Sequence, residues 1–447
     1  MGRALATDLY ELNMAASYLR RKLVGPATFS LFVRKLPPER AFLVAAGLED
    51  CLSYLESLAF DDEELDWLRQ TGFDDEAVDA FAGLRFTGDV WAVPEGRVVL
   101  ANEPLLEVTA PAAEAQLVET YLLNQVTYQT SIATKAVRCR LAAGDIDLVD
   151  FALRRTHGVE AGIAVARLSA MAGFVATSNV EAARRYGLRA AGTMAHSYIE
   201  AFPSEIEAFR AFAEDLPERT TFLVDTYDTV QGVRNAIAVI RELGLTGSSG
   251  IRLDSGDLVA LAREARRLLD DAGLSEVRIF ASGGLDEYDL ERFCLDRAPI
   301  DAAGVGTRMG VSADAPSLDS AYKLVAFGDR PVLKLSADKA TLPGAKQAWR
   351  CHPIEEDVLT LRDEPGPRGF EPLLVPVMRD GGRVAPPDTI TAARDRCSRD
   401  VDALPGTATR LRNPVAPRLH VSHALAALCA NLTDELRSEL EEPAPTS

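Results

Sequence analysis

Arg252 and Asp254 stand two residues apart in the stretch IRLDSGDL. Residues at i and i+2 of a strand share one face, so this spacing presents a guanidinium beside a carboxylate. On an inward face such a pair either holds a polar ligand or closes on itself as a structural ion pair, and both readings stay open. Similar chemistry recurs at the ends of other short apolar runs. DFALRRTHG ends in Arg154 and Arg155, which could grip a phosphate or carboxylate bidentately or serve as surface charges. LVDTYDT offers Asp225 and Asp228 as oxygen donors to magnesium or a ribose hydroxyl, or as helix caps. Ser282, Gly283 and Gly284 in ASGGLDE, and Gly306 and Thr307 in GVGTRMG, form glycine-rich turns. Their backbone N–H groups could cradle an anion, although ordinary strand-to-helix turns look the same. GTMAHSYIE carries His196 without a neighbouring Cys, His or HExxH partner. Metal ligation is therefore not signalled, and a core or capping histidine is the ordinary reading.

What is missing narrows the chemistry. No GxSxG elbow marks a Ser-His-Asp hydrolase, and no GxGxxG opens a helix after the first strand. The six cysteines show no CxxC or CxxH spacing, so neither a zinc site nor a disulfide framework is indicated. The formal charge of −19, from 48 Lys+Arg against 67 Asp+Glu, argues against a nucleic-acid partner or a basic membrane surface. It leaves anionic small substrates open, because a few arginines can dominate a pocket. Neither a signal-peptide-like apolar stretch nor a membrane-spanning run occurs, so a reducing cytoplasm is the expected setting. Arginines, aspartates and glycine turns together suit a phosphorylated sugar with magnesium.

These residues need a scaffold that gathers them. Seven strand candidates begin at Asp147, Phe174, Leu188, Thr221, Gly250, Val277 and Asp301, alternating with helical stripes such as Val230, Val233, Ile237 and Ile240. Such alternation predicts parallel βα units. Each strand carries its polar chemistry at its C-terminal end, and an α/β barrel collects all those ends at one mouth, whereas an open sheet collects only those at its switch point. The expectation is an irregular, about seven-stranded α/β barrel over residues 113–328. A mixed α+β domain is expected over 1–112, with a C-terminal region, 329–447, partly packed on it. Within these, TDLYELNMAASYL reads as a helix capped by Thr7 with Leu9, Leu12, Ala16 and Leu19 on one face. ATFSLFVRKL, RPVLKLS and KQAWR read as strands, 113–142 as one uninterrupted helix, and the tail EEPAPTS as disordered.

The motifs ATDLYELNM, DFALRRTHG, ATSNV, GTMAHSY, LVDTYDT, IRLDSGDL, FASGGLDE, GVGT and SLDSAYKLV occur in an order that resembles the nicotinate phosphoribosyltransferases. KLSADKATLPGAKQAWR adds to the likeness, which spans roughly residues 4–350. The resemblance implies attack of nicotinate on C1 of phosphoribosyl pyrophosphate, giving nicotinate mononucleotide and pyrophosphate, with ATP hydrolysis coupled through a phosphohistidine. That residue falls on His196. The resemblance further implies that Phe151 and Tyr10 stack on the two faces of the pyridine, Tyr10 coming from the partner of a homodimer with shared sites. It gives Arg154 and Arg252 to the nicotinate carboxylate and the substrate phosphates, and places Thr193 and Ser178 beside the base. Asp254 is assigned to ribose hydroxyls, Asp225 and Ser282 to the substrate, and Gly283, Gly284, Gly306 and Thr307 to the 5′-phosphate. Magnesium would accompany the pyrophosphate, with no protein metal site. Ala152 departs from the family pattern, where glycine is frequent, and the region after Pro353 is not matched. The competing readings are another type II phosphoribosyltransferase, for nicotinamide or quinolinate, and a non-catalytic nucleotide-binding barrel.

Overall fold

A computed structural model describes residues 4–23, 25–245, 249–335 and 341–441. They form two compact units, one of Met1–Ser131 with Ser317–Ser447, the other of Ile132–Pro316.

In the second unit six short parallel strands carry the site: β1 (Asp147–Asp150), β2 (Ala176–Thr177), β3 (Thr221–Leu223), β4 (Gly250–Leu253), β5 (Arg278–Ala281) and β6 (Ala302–Val305). They are hydrogen-bonded in the order β2-β1-β6-β5-β4-β3. Leu148, Ile251, Leu253, Ile279, Ala281, Ala303 and Val305 are all buried, as befits strands covered on both faces. Helices such as Val159–Met171, Thr229–Leu243 and Leu258–Asp271 alternate with them. The fold is thus the irregular α/β barrel expected. The seventh segment, from Leu188, is reduced to one parallel bridge between Thr177 and Ala190. LRAAGTMA is mostly alanine, glycine and arginine, with no β-branched run to bury, so a full strand gains little there.

The first unit is built from antiparallel sheet and helices. Pro26–Val33 lies between Ser320–Phe327 and Pro104–Pro111 in a seven-stranded sheet, which also includes Asp89–Ala92 paired with Val375–Arg379. Lys346–Arg350 and Glu356–Leu361 belong to a separate four-stranded sheet. Several sequence expectations shift here. Ser320–Phe327, expected at the end of the barrel, pairs antiparallel with Pro26–Val33 instead, Ala27 opposite Phe327, with a register shift between Thr28 and Phe29. The helix expected over 113–142 is two, Ala112–Leu117 and Glu119–Ala142, and its first part belongs to the first unit. The strand expected at RPVLKLS shrinks to Arg330–Pro331, since proline leaves no donor for a ladder. Thr7 does not cap: Asp8 is the N-cap of Leu9–Arg20, without a side-chain cap bond, and Leu9 is 58% exposed. The helix buries Leu12, Ala15 and Ala16 along with Glu11. The tail EEPAPTS lies, apart from Glu441, outside the described residues.

Candidate active site

Register decides which side chains meet. Asp150 pairs with Val305 and Thr177, Leu253 with Ala281, and Leu223 with Arg252. The residues that follow each strand therefore emerge at one end: Phe151, Ser178, Asp225, Asp254, Ser282 and Gly306. Some polar groups there are committed to helix starts. Asn179 accepts from Ala182 N, Asp228 from Gln231 N and Asp286 from Tyr288 N. Asp228, considered above as a magnesium or ribose ligand, is thus a helix cap, its alternative reading.

Arg252 is the centre of what remains. It is 9% exposed. Its Nε donates to Ser282 Oγ at 2.7 Å, Nη1 to Thr193 Oγ1 at 3.0 Å, and Nη2 to Asp254 Oδ1 at 2.6 Å. Ser282 Oγ closes the ring by donating to Asp254 Oδ1. The spacing read as either ligand site or ion pair is therefore an ion pair in this structure, built among residues that the motifs assign to substrate. Burial alone would raise the Asp254 carboxyl, but the Ser282 hydrogen bond and the Arg252 charge outweigh it, helped by His196, and hold it below its ordinary range. It is a carboxylate at neutral pH, able to accept from hydroxyls.

The aromatic floor lies beside this ring. The Arg252 guanidinium carbon is 5.5 Å from the Phe151 ring centroid, and Phe151 sits 5.5 Å from Phe280, tilted. Glycines make room: a Cβ on Gly304 would lie 2.7 Å from the Phe151 ring, and one on Gly306 2.7 Å from Phe151 O. Gly283, at φ +113°, passes so close to Asp254 O that a Cβ would lie 2.1 Å from it. No larger residue fits without moving the loop. Gly284 follows at φ +75° with open space around it, and Gly306 immediately precedes the short helix that Thr307 opens.

His196 Nδ1 lies 3.1 Å from Thr226 Oγ1. When Nδ1–H donates to that oxygen, Nε2 keeps its lone pair. Asp225 Oδ2 accepts from Asp254 N and Ser255 Oγ, while its Oδ1 is buried without a hydrogen-bond partner, an oxygen suited to a cation or a hydroxyl. Among the described residues no group of three or more His, Cys, Asp or Glu is arranged to hold a metal ion. Arg154 is exposed and outside the Arg252 ring. Tyr10 is in the other unit, 46% exposed; burial and the nearby Glu119 and Glu11 carboxylates push its phenol up, so it stays protonated.

Three participants were not singled out from sequence: Thr226, Phe280 and Asp150. Asp150 had a readable signal, an acid ending the apolar run DLVD. It is fully buried, accepts from Ala152 N at 2.9 Å and Thr177 Oγ1 at 2.6 Å, and its carbonyl accepts from Ser178 N. It thereby ties the Phe151 turn to the Ser178 turn. Ala152, the departure from the family pattern noted above, sits at φ −87°, which any residue adopts. Burial pushes the Asp150 carboxyl up to about 6, against the lowering pull of its two hydrogen bonds. A folded pKa above the unfolded value gives stability present below pH 3.8 and lost as pH rises through 6. Asp150→Asn removes that titration. Between pH 4 and 7 the wild type should lose roughly 2 kcal/mol relative to Asp150→Asn, measured by urea unfolding of both. A pH-independent difference would refute this assignment.

Residues 5–127 match the nicotinate phosphoribosyltransferase N-terminal domain, 341–429 that family's C-terminal domain, and 132–319 the quinolinate phosphoribosyl transferase C-terminal domain. The second match covers most of the region beyond Pro353 that motifs left unplaced. The chain is 48% identical to nicotinate phosphoribosyltransferase pncB2 of Mycobacterium tuberculosis over 413 residues, covering 90% of this chain and 88% of that one. It is 42% identical to the Bacillus subtilis nicotinate phosphoribosyltransferase, covering 81% and 76%. Among solved structures it resembles human nicotinic acid phosphoribosyltransferase, with a TM-score of 0.86 and 30% identity over 95% of this chain and 99% of that one. It also resembles a nicotinate-nucleotide pyrophosphorylase from Pyrococcus furiosus, with a TM-score of 0.75 and 26% identity over 90% and 95%.

Proposed function

The chain belongs to the nicotinate phosphoribosyltransferase family, and from that premise we propose that it joins nicotinate to phosphoribosyl pyrophosphate in the salvage of nicotinate toward NAD. The observation that carries this reading is the Arg252 ring, with Asp254, Ser282 and Thr193 on one guanidinium beside the Phe151 face. Phe151 takes one face of the pyridine, and Arg252 takes the anionic groups, joined by Arg154 from the exposed turn that follows Phe151. Asp254 accepts from ribose hydroxyls, with Asp225 next to it. The Gly283–Gly284 and Gly306–Thr307 turns receive the 5′-phosphate through their backbone N–H groups. The pyridine nitrogen is already a nucleophile, so no strong base is required. Rate comes from holding it in line with C1 and from stabilising an oxocarbenium-like sugar and departing pyrophosphate. Magnesium carried by the pyrophosphate would supply charge neutralisation there.

ATP is a co-substrate whose γ-phosphoryl group passes to Nε2 of His196, releasing ADP. The contact of Nδ1 with Thr226 Oγ1 supports this, because in the tautomer where Nδ1–H donates, Nε2 is the reacting nitrogen. The working unit is a homodimer in which Tyr10 of one copy stacks in the partner's site. The exposed Leu9 and Tyr10 on the first turn of their helix suit such a contact. Six free thiols suit the cytoplasm. No described helix is long and apolar enough to cross a membrane, and the charge of −19 disfavours nucleic acid.

Choice of base tests the reading. Ser178, half-buried at the end of β2, carries no charge to repel the nicotinate carboxylate, whereas an acid there would repel it and could accept from an amide NH2. Nicotinate should be used in strong preference to nicotinamide and quinolinate, and Ser178→Asp should reduce nicotinate turnover at least 10-fold more than nicotinamide turnover. Steady-state assays of the three bases decide it. Equal use of nicotinate and nicotinamide by the unaltered protein, or preference for quinolinate, would replace the reading by its alternatives.

A further inference from the structure

Behind the two glycine turns lies an ionic cluster that the reaction does not use. Lys135 Nζ lies 2.5 Å from Glu287 Oε2 and 2.9 Å from Asp314 Oδ1. Lys135 and Glu287 are buried and Asp314 nearly so. Arg138, one helical turn further on, places Nε 3.1 Å from the other Glu287 oxygen. Lys135 and Arg138 set two cations against the Glu287 and Asp314 carboxylates, the pairing that keeps such charges out of water. Its attachment points matter. Glu287 is the first residue of the helix Glu287–Leu295, three positions after Gly284. Asp314 follows the Thr307–Gly310 helix, and its segment is fixed by bonds from Ala313 N to Arg308 O and Ala315 N to Ser312 O. One ammonium therefore grips the segment behind each glycine turn. A second link runs nearer the surface, from Arg308 Nη1 to Asp286 Oδ2 at 2.9 Å.

We propose that Lys135 is a positioning residue that holds the Gly283–Gly284 and Gly306–Thr307 turns at the separation a sugar 5′-phosphate requires. The proposal rests on the assignment of those turns to the 5′-phosphate made above. Two backbone cradles on separate loops bind one anion well only if their spacing is fixed beforehand, because donors displaced by an ångström lose most of their hold. The cluster reaches the Arg252 ring and the Phe151 floor through the turns themselves, Gly283 packed on Asp254 O and Gly306 on Phe151 O, so its loss should weigh on the 5′-phosphate more than on the base.

The test is calorimetric titration of ribose 5-phosphate and of nicotinate into the full-length wild type, Asp314→Asn and Lys135→Met, with thermal unfolding of each. Asp314→Asn cuts one arm of the tie at a partly exposed carboxylate and keeps the chain folded even if Lys135→Met, which strands a buried Glu287, does not. Ribose 5-phosphate affinity should fall about 10-fold or more in Asp314→Asn, with nicotinate affinity within about 2-fold of wild type and the KM for phosphoribosyl pyrophosphate rising alone. Lys135→Met, where folded, should show the larger loss of the two. Unchanged ribose 5-phosphate affinity in Asp314→Asn, or equal losses for both ligands, would overturn the proposal. A wild type that binds ribose 5-phosphate but makes no nicotinate mononucleotide would count against the function proposed above and leave the tie standing.

Discussion

Arg252→Ala should lower kcat/KM by about 10²–10³-fold, the loss that follows removal of one preorganised charged donor. The reason is geometric. One guanidinium holds Ser282, Thr193 and Asp254 together, so its loss removes the positive charge that the proposal sets against the substrate and also frees the three groups it holds. Arg252→Lys should restore little, because an ammonium cannot reproduce the fork that serves three partners at once. The same variant tests the shared site. Unfolded, mixed and refolded with Tyr10→Ala, it should recover about a quarter of normal activity, since about half the dimers are then mixed and each carries one intact site. Activity that stays at the parental level despite proven subunit exchange would confine Tyr10 to its own subunit.

His196→Asn should abolish labelling of the protein by γ-labelled ATP while leaving slow, ATP-independent formation of mononucleotide. Asparagine approximates the imidazole in size but offers no nucleophilic nitrogen, and Thr226 keeps a hydrogen-bonding neighbour. Arg252, Asp254 and Ser282 are bonded to one another rather than to His196, so the transfer site itself should persist. The label on the wild type should be acid-labile and stable to base, the behaviour of a phosphoramidate, and peptide mapping should place it at His196. Acid-labile phosphate on another residue would remove His196 from the coupling role.

The polar residues at strand ends are easier to read from the sequence than the domain boundaries, for a physical reason. Side chains that do chemistry at strand ends interrupt an apolar pattern, so Arg252, Asp254 and the two glycine turns stand out against Ile251, Leu253, Ile279 and Val305. Parallel register then brings them to one end without further instruction. Asp228 was ambiguous because a cap and a ligand use the same carboxylate; only the bond from Gln231 N separates them. Thr226 and Phe280 were silent, since their roles are contacts with His196 and Phe151 that arise only when strands distant in sequence pair. The boundaries failed where local pattern is uninformative. Ser320–Phe327 looks like any short strand, and its partner Pro26–Val33 lies nearly 300 residues away. A helix without glycine or proline between 113 and 142 gives no sign that it ends one segment and begins another at Val118.

The most direct measurement of the central claim is formation of nicotinate mononucleotide by the purified chain from nicotinate, phosphoribosyl pyrophosphate and magnesium, with and without ATP. The account predicts mononucleotide and pyrophosphate in equal amounts, with ATP raising the yield and being hydrolysed only when both substrates can react productively. Absence of mononucleotide under both conditions, from protein shown to be folded, would contradict it.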